Sequence, residues 1–172
     1  PENDEWWGKG FTEWTKVKAT RPLFPGHEQP RFPHSDIGYY RLDRRDGIEQ
    51  QAKLAKEFGI YGFCYYYYWF GGRRLMEKPL DIILSDPSID LNYCLCWANE
   101  GWTKSWDGNE NHVLMAQEYS AANDLSFIED LSLYFEDPRY IRIDGKPILI
   151  VYRWDLFPDM KATIERWRKW CA

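Results

Sequence analysis

Basic residues are in deficit. Lys and Arg number 22 against 27 Asp and Glu, for a formal net charge of −5 over 172 residues. The chain therefore lacks the positive footprint that a nucleic-acid backbone attracts, and no nucleic-acid partner is expected. Histidine is scarce, with three residues; His27, His34 and His112 stand apart from one another. Four cysteines are present, Cys64, Cys94, Cys96 and Cys171, with no Cys-x-x-Cys pair. No zinc site or other metal site is expected from that set. No apolar run approaches the ~20 residues that span a bilayer, so no transmembrane segment is expected. Gly-x-Ser-x-Gly, Walker and Gly-x-Gly-x-x-Gly patterns are missing as well. No cofactor is expected.

Aromatic residues are what the chain has in excess. Ten Trp, 12 Tyr and 9 Phe make up 18% of it. Each ring buries roughly 150–250 Å², which is more aromatic surface than a small core uses. Some rings are therefore expected to face a ligand. Short basic clusters (Arg41, Arg44, Arg45; Arg166, Arg168, Lys169) read as solvated helix ends. Cys94 and Cys96 sit two apart in an apolar run, where strand pleating puts them on one face. Buried free thiols in a reducing compartment are the expected state.

Residues 1–40 are rich in Gly, Pro and aromatics and read as a long loop, which in a compact domain has a packing or functional role. A helix is predicted over 44–58, stopped by Gly59. The run 60–70 (IYGFCYYYYWF) reads as a strand closed by Gly71-Gly72. A second helix is predicted over 75–84, interrupted by Pro79, and a second strand over 91–97. Residues 101–120 read as a polar loop. Further elements are a helix over 121–135, a short β-like stretch over 139–144, a strand over 148–152 and a helix over 158–170 that starts near Pro158.

Short apolar strands alternating with helices indicate an α/β protein with a parallel sheet. Two closures fit that order, an open doubly wound sheet and a (β/α)₈ TIM barrel. Either way, functional groups gather beyond the carboxyl ends of the strands. Those ends here join rings to polar groups: Tyr65, Tyr66, Tyr67, Tyr68 and Trp69 at the end of the first strand; Trp97, Asn99, Glu100 and Trp102 at the second; Tyr152, Arg153, Trp154 and Asp155 at the third. A flat apolar ring stacks on sugar C–H groups, while amides, carboxylates and hydroxyls take the ring hydroxyls. An oligosaccharide or polysaccharide is the substrate class this chemistry suits.

Glu100 is the sharpest catalytic candidate. It follows a buried strand between Trp97 and Trp102, a setting that suits a general acid at a glycosidic oxygen. Asn99 is placed to bind a sugar hydroxyl. The alternative reading is a structural glutamate bonded to backbone or to an arginine. Glycoside hydrolysis uses two carboxylates roughly 5–9.5 Å apart, and no second acid stands out. Glu13, in Phe11-Thr12-Glu13-Trp14, and Asp107, after Trp106, read as loop ligands or helix caps.

Taken together, several segments resemble a known family. They are Asn3-Asp4-Glu5-Trp6-Trp7-Gly8-Lys9-Gly10-Phe11-Thr12-Glu13-Trp14, Pro22-Leu23-Phe24-Pro25-Gly26-His27, Gly62-Phe63-Cys64-Tyr65-Tyr66, Tyr68-Trp69-Phe70, Cys94-Leu95-Cys96-Trp97-Ala98-Asn99-Glu100 and Asp144-Gly145-Lys146-Pro147. In this order they resemble the WbsX-type, glycosyltransferase-like proteins of bacterial polysaccharide loci, which in turn resemble the family-99 glycoside hydrolases. The resemblance implies a (β/α)₈ barrel with a sugar cleft. The expected contact residues are Glu13, Trp14, Tyr66, Tyr68, Trp69, Trp97, Asn99, Trp102 and Tyr152. It also implies a cytoplasmic bacterial setting. Family-99 enzymes carry their catalytic glutamates in a late-strand Asn-Glu-Trp motif. That motif does not occur here, which moves Glu100 from acid towards substrate-binding carboxylate. Residues 1–172 are thus expected to form a partial barrel, a single domain cut at both ends. Oligomeric state is left open.

Overall fold

A computed structural model describes residues 2–104 and 109–172. The N-terminal segment carries two short helices, α1 (Glu2–Trp7) and α2 (Glu13–Ala19), where a loop was expected. Thr12 opens α2 with a capping box that involves Thr15, so local side-chain bonding substitutes for apolar periodicity here.

The predicted elements follow. Helix α3 (Arg45–Glu57) ends in a Schellman turn: Gly59 N–H donates to the Lys56 carbonyl and Ile60 N–H to the Ala55 carbonyl. Gly59 has φ +73°, the left-handed conformation this stop requires. Strand β1 (Gly62–Phe70) turns through Gly71-Gly72, both at positive φ, into the short antiparallel β2 (Arg73–Leu75). A two-residue turn with both φ positive matches the twist of a hairpin. Pro79 does not interrupt helix α4 (Lys78–Ser85); it lies in its first turn, where the missing N–H is harmless. Strand β3 (Asn92–Trp97) follows.

The polar loop expected over 101–120 is instead partly a hairpin, β4 (Trp102–Lys104) with β5 (Asn109–Met115). Helix α5 (Ala121–Glu136) is capped by Ser120, whose hydroxyl accepts from the Asn123 N–H. A small antiparallel pair, β6 (Arg142–Ile143) and β7 (Lys146–Pro147), leads into β8 (Leu149–Val151). A 3₁₀ turn (Trp154–Leu156) then precedes α6 (Met160–Trp170), which is capped by Asp159.

The main sheet has the order β2-β1-β3-β8, with β1, β3 and β8 parallel. The α/β reading holds in this form. The sheet is open among the described residues and no barrel closes. Gly62 pairs with Asn92, and a Cβ at Gly62 would meet the Asn92 carbonyl oxygen at 2.4 Å. Glycine there lets the two strands approach at the start of their ladder.

The helices line up along one side of the sheet. Arg45 of α3 bonds Asp86 at the end of α4. Arg74 lies between Asp81 of α4 and Asp130 of α5. Helices α5 and α6 are pinned by the buried Asp124, which accepts from Thr163 Oγ1 at 2.8 Å and Arg166 Nε at 2.7 Å. Arg166, expected to be a solvated helix end, is therefore a structural partner. The core lies between this layer and one sheet face. Tyr67, Trp69, Tyr93, Leu95 and Trp97 meet Phe127, Ile128, Leu131, Tyr134, Phe157 and Trp167. The alternate residues Cys64, Tyr66, Ile150 and Tyr152 are on the opposite face, where Tyr66 is 53% and Tyr152 50% exposed.

Candidate functional site

The carboxyl ends of β1, β3 and β8 stand side by side because the parallel register runs on past the strands. Ala98 N–H donates to the Tyr67 carbonyl, and Tyr152 N–H to the Trp97 carbonyl. At this edge the rings of four residues form a row. Trp102 meets Tyr68 edge-on at 4.9 Å between centroids, Tyr68 lies 6.1 Å from Tyr66, and Tyr66 meets Tyr152 edge-on at 5.8 Å. The row crosses three strands, so strand pairing rather than sequence proximity assembles it. The Tyr66 phenol is pushed up by desolvation and, less strongly, by Tyr152 and nearby Cys96, Cys64 and Glu100. The Tyr68 phenol is pushed up by desolvation, then by Tyr66 and Glu13. Glu13, in the first turn of α2, is thereby within electrostatic reach of the row. Both phenols stay protonated at neutral pH and can donate to a sugar oxygen.

A polar cluster borders the rings. Arg153 Nε and Nη2 hold the two oxygens of Asp155 at 2.8 and 2.7 Å, and Nη1 holds Glu100 Oε1 at 2.7 Å. The guanidinium is raised further by bonding to Asp155 first and Glu100 second, and Asp155 is lowered by its bond to Arg153. All three side chains are between 41% and 46% exposed, which suits contact with a hydrated ligand. Glu100 is therefore an ion-paired, half-exposed carboxylate.

Asn99 lies beneath this cluster and is fully buried. Its Oδ1 accepts from the Arg153 N–H at 2.8 Å, and its Nδ2 donates to the Arg153 carbonyl at 2.6 Å and the Tyr119 hydroxyl at 3.0 Å. Tyr119 in turn donates to the Asn99 carbonyl at 2.6 Å. The side-chain amide thus acts as one more rung of the β3–β8 ladder and sets where Arg153 emerges. Its hydrogen-bonding capacity is spent inside the protein, contrary to the expectation that it meets a sugar hydroxyl.

Trp69 and Trp97 also depart from the expected contact set. Each is 1% exposed. Trp97 stacks on Phe127 at 4.0 Å, and its Nε1 donates to the Trp69 carbonyl at 3.3 Å. Both point to the helical side and belong to the core. Trp14 packs edge-on against Tyr39 and Tyr40 and donates from Nε1 to the Tyr40 carbonyl at 2.9 Å. Its contacts are with the N-terminal segment, not with the ring row. Trp106 and Asp107 lie outside the described residues, as do the side chains of Glu110 and His112. Among the described residues no group of three His, Cys, Asp or Glu is arranged to hold a metal ion, and no helix is long and apolar enough to cross a membrane.

Arg153 is the residue that sequence reasoning passed over as a contact. It was visible at a strand end, but its clamp depends on Glu100, 53 residues away. Trp154, 70% exposed beside it, is a further ring at the same edge.

The model of the family described as Glycosyltransferase WbsX matches residues 1–172. Proteins named WxcX from two strains of Xanthomonas campestris pv. campestris (B100 and ATCC 33913) are each 50% identical over 171 residues. The match covers 99% of this chain and 24% of each relative, so the chain spans about a quarter of their length. No solved structure matches. With the family match running the length of the chain, the protein belongs to the WbsX glycosyltransferase family.

Proposed function

We propose that the edge formed by Tyr66, Tyr68, Trp102, Tyr152, Glu100, Arg153 and Asp155 binds a glycan for a carbohydrate-active enzyme. The supporting observation is the row of half-open rings beside a charged clamp at the carboxyl ends of three parallel strands. That is the end where α/β enzymes bind ligands. Rings stack on sugar faces, and the clamp offers carboxylate acceptors and guanidinium donors in fixed directions. The face of the sheet that carries no helices would line the interior of a (β/α)₈ barrel, with residues 1–172 supplying one side of it. The remaining strands would come from a longer protein, in keeping with the partial coverage of the relatives.

The reaction we favour is family-99-like hydrolysis of a bacterial surface polysaccharide or mannose-type glycan, with the catalytic carboxylates supplied by the rest of the barrel. In this chain Glu100 would bind substrate. Glycosyl transfer in polysaccharide biosynthesis is the second reading, favoured by the family's own description. Both use the same glycan-binding edge, so binding is the first test.

Titration with manno-oligosaccharides and with fragments of a bacterial surface polysaccharide is followed by Trp fluorescence. Binding is expected to perturb Trp102. Glu100→Gln is expected to weaken it about tenfold or more, the effect of losing a hydrogen bond to a charged group, with the melting temperature preserved. An unchanged dissociation constant removes Glu100 from the site. In the longer protein, turnover that depends on a nucleotide sugar, without hydrolysis of α-mannosides, overturns the hydrolase preference.

A further inference from the structure

Three of the four cysteines gather on the helix-free face of the sheet. Cys64 of β1 is the direct partner of Cys94 of β3 in the parallel register, and the pair that joins Tyr66 to Cys96 comes two positions later. The pleat puts Cys64, Cys94 and Cys96 on one face. Neighbouring strands lie about 4.7–4.9 Å apart, a spacing that falls within the roughly 4.4–6.8 Å of Cα separation that a disulfide spans. Cys96, one pleat further along and diagonal to Cys64, also reaches the Cys64 thiol, but only Cys94 stands in direct register with it.

Exposure divides the labour. Cys64 is exposed, whereas Cys94 and Cys96 are each 6% exposed. Burial first, and the neighbouring Cys64 second, push the Cys94 thiol up to about 12 and the Cys96 thiol to about 11. The buried thiols therefore stay protonated at neutral pH, and an oxidant in solution meets Cys64 before either of them. Cys171, at the end of α6, belongs to the helical layer and takes no part in this cluster.

We propose that Cys64 and Cys94 form a reversible disulfide, with Cys64 as the entry thiol and a small-molecule disulfide as the oxidant. The Cys64 thiolate attacks one sulfur of that disulfide. The S–S bond breaks, and the first small thiol leaves with a proton from solvent. Cys94 then loses its proton to solvent and attacks the Cys64 sulfur, which releases the second small thiol. Two cysteine thiols are oxidised by two electrons, and one disulfide is reduced to two thiols. The bond would tie β1 to β3 one pleat from Tyr66, next to the glycan edge, and a reducing environment would reopen it. The proposal concerns the 172-residue chain, in which Cys64 is exposed, and rests on neither the glycan nor the barrel reading.

Incubation of the 172-residue chain with glutathione disulfide, followed by acid quench, alkylation and mass spectrometry, tests it. The expected result is a fall from four alkylatable thiols to two, with a Cys64–Cys94 cross-link found by peptide mapping and reversed by dithiothreitol. Arg73 and Arg74 separate Cys64 from Cys94 for tryptic mapping, and fragmentation of the linked peptide distinguishes Cys94 from Cys96. Cys64→Ser should abolish the cross-link and Cys171→Ser should leave it intact. Four free thiols after oxidation, a stable mixed disulfide on Cys64 without a cross-link, or a bond through Cys96 or Cys171 would each overturn the proposal.

Discussion

Replacing Asn99 with alanine separates a structural amide from a ligand-binding one. The Asn99 side chain makes three hydrogen bonds, at 2.6, 2.8 and 3.0 Å, two of them to the backbone of Arg153. Alanine removes them all, while Tyr119 keeps its own bond to the Asn99 carbonyl. The main loss is therefore the pairing of the Arg153 N–H and C=O. An unsatisfied buried group costs roughly 1–3 kcal/mol. Arg153 is only partly buried, so water can reach its backbone and the lower half of that range applies. Two groups then give about 2–4 kcal/mol. In a protein of this size that is a fall in melting temperature of roughly 4–16 °C. Differential scanning calorimetry measures it, with Glu100→Ala as the comparison. Glu100 belongs to a half-exposed ion pair, the kind that contributes about 0–1 kcal/mol. If Asn99→Ala melts no lower than Glu100→Ala, the amide is not the rung that joins β3 to β8. A companion change, Asn99→Asp, keeps the shape but turns the donor against the Arg153 carbonyl into an acceptor. Burial favours the neutral form of the introduced carboxyl, so its penalty is expected to grow above pH ~4 and ease below it.

Two further outcomes follow from the core and the helical layer. Trp97→Ala opens a cavity against Phe127 and Trp167 and is expected to destabilise by about 3–5 kcal/mol in chemical denaturation; Tyr66→Ala, on the open face, is expected to cost far less, and equal losses would contradict the division of the sheet into a buried and an open face. Asp137 is buried beside Arg139, which bonds it at 2.7 Å; burial alone would raise this carboxyl, but the hydrogen bonds and charge of Arg139, with a bond from Tyr93, outweigh it and the group is lowered. Its folded-state value is below its unfolded one, so its contribution is fully present above pH ~4 and is lost as pH falls through the folded value. Asp137→Asn is expected to flatten the acid limb of a stability-versus-pH curve, and an unchanged limb would contradict the assignment.

Much of the fold was legible in the sequence because its signals are local. The β-branched and aromatic runs, the helical spacing of Ile48, Ala52 and Ala55, and the stop at Gly59 gave elements close to those observed. Misses have local causes too. Two short helices in the N-terminal segment rest on capping and turn bonds rather than on an apolar stripe. The β4–β5 hairpin joins a three-residue strand to one whose sequence is polar over 109–112 and apolar over 113–115, so neither shows a period-two alternation.

The site was legible by composition but not by direction. Rings at the strand ends led to the expectation of a carbohydrate ligand, and the family resemblance carried by the motifs agrees with the family match. Which rings face outward could not be read, because β1 runs Tyr65-Tyr66-Tyr67-Tyr68-Trp69 with aromatics on both faces. A period of two leaves no trace when both phases hold the same residue type. Only packing decides that Tyr67, Trp69 and Trp97 meet Phe127 while Tyr66 and Tyr152 stay open. The pairing of Arg153 with Glu100 and Asn99 likewise spans more than 50 residues. The sequence by itself determined the elements, their parallel arrangement and the kinship, since these rest on short-range patterns. Tertiary structure decided which side chains became core, ladder or site, because that choice is made by the surface each one meets across the sheet.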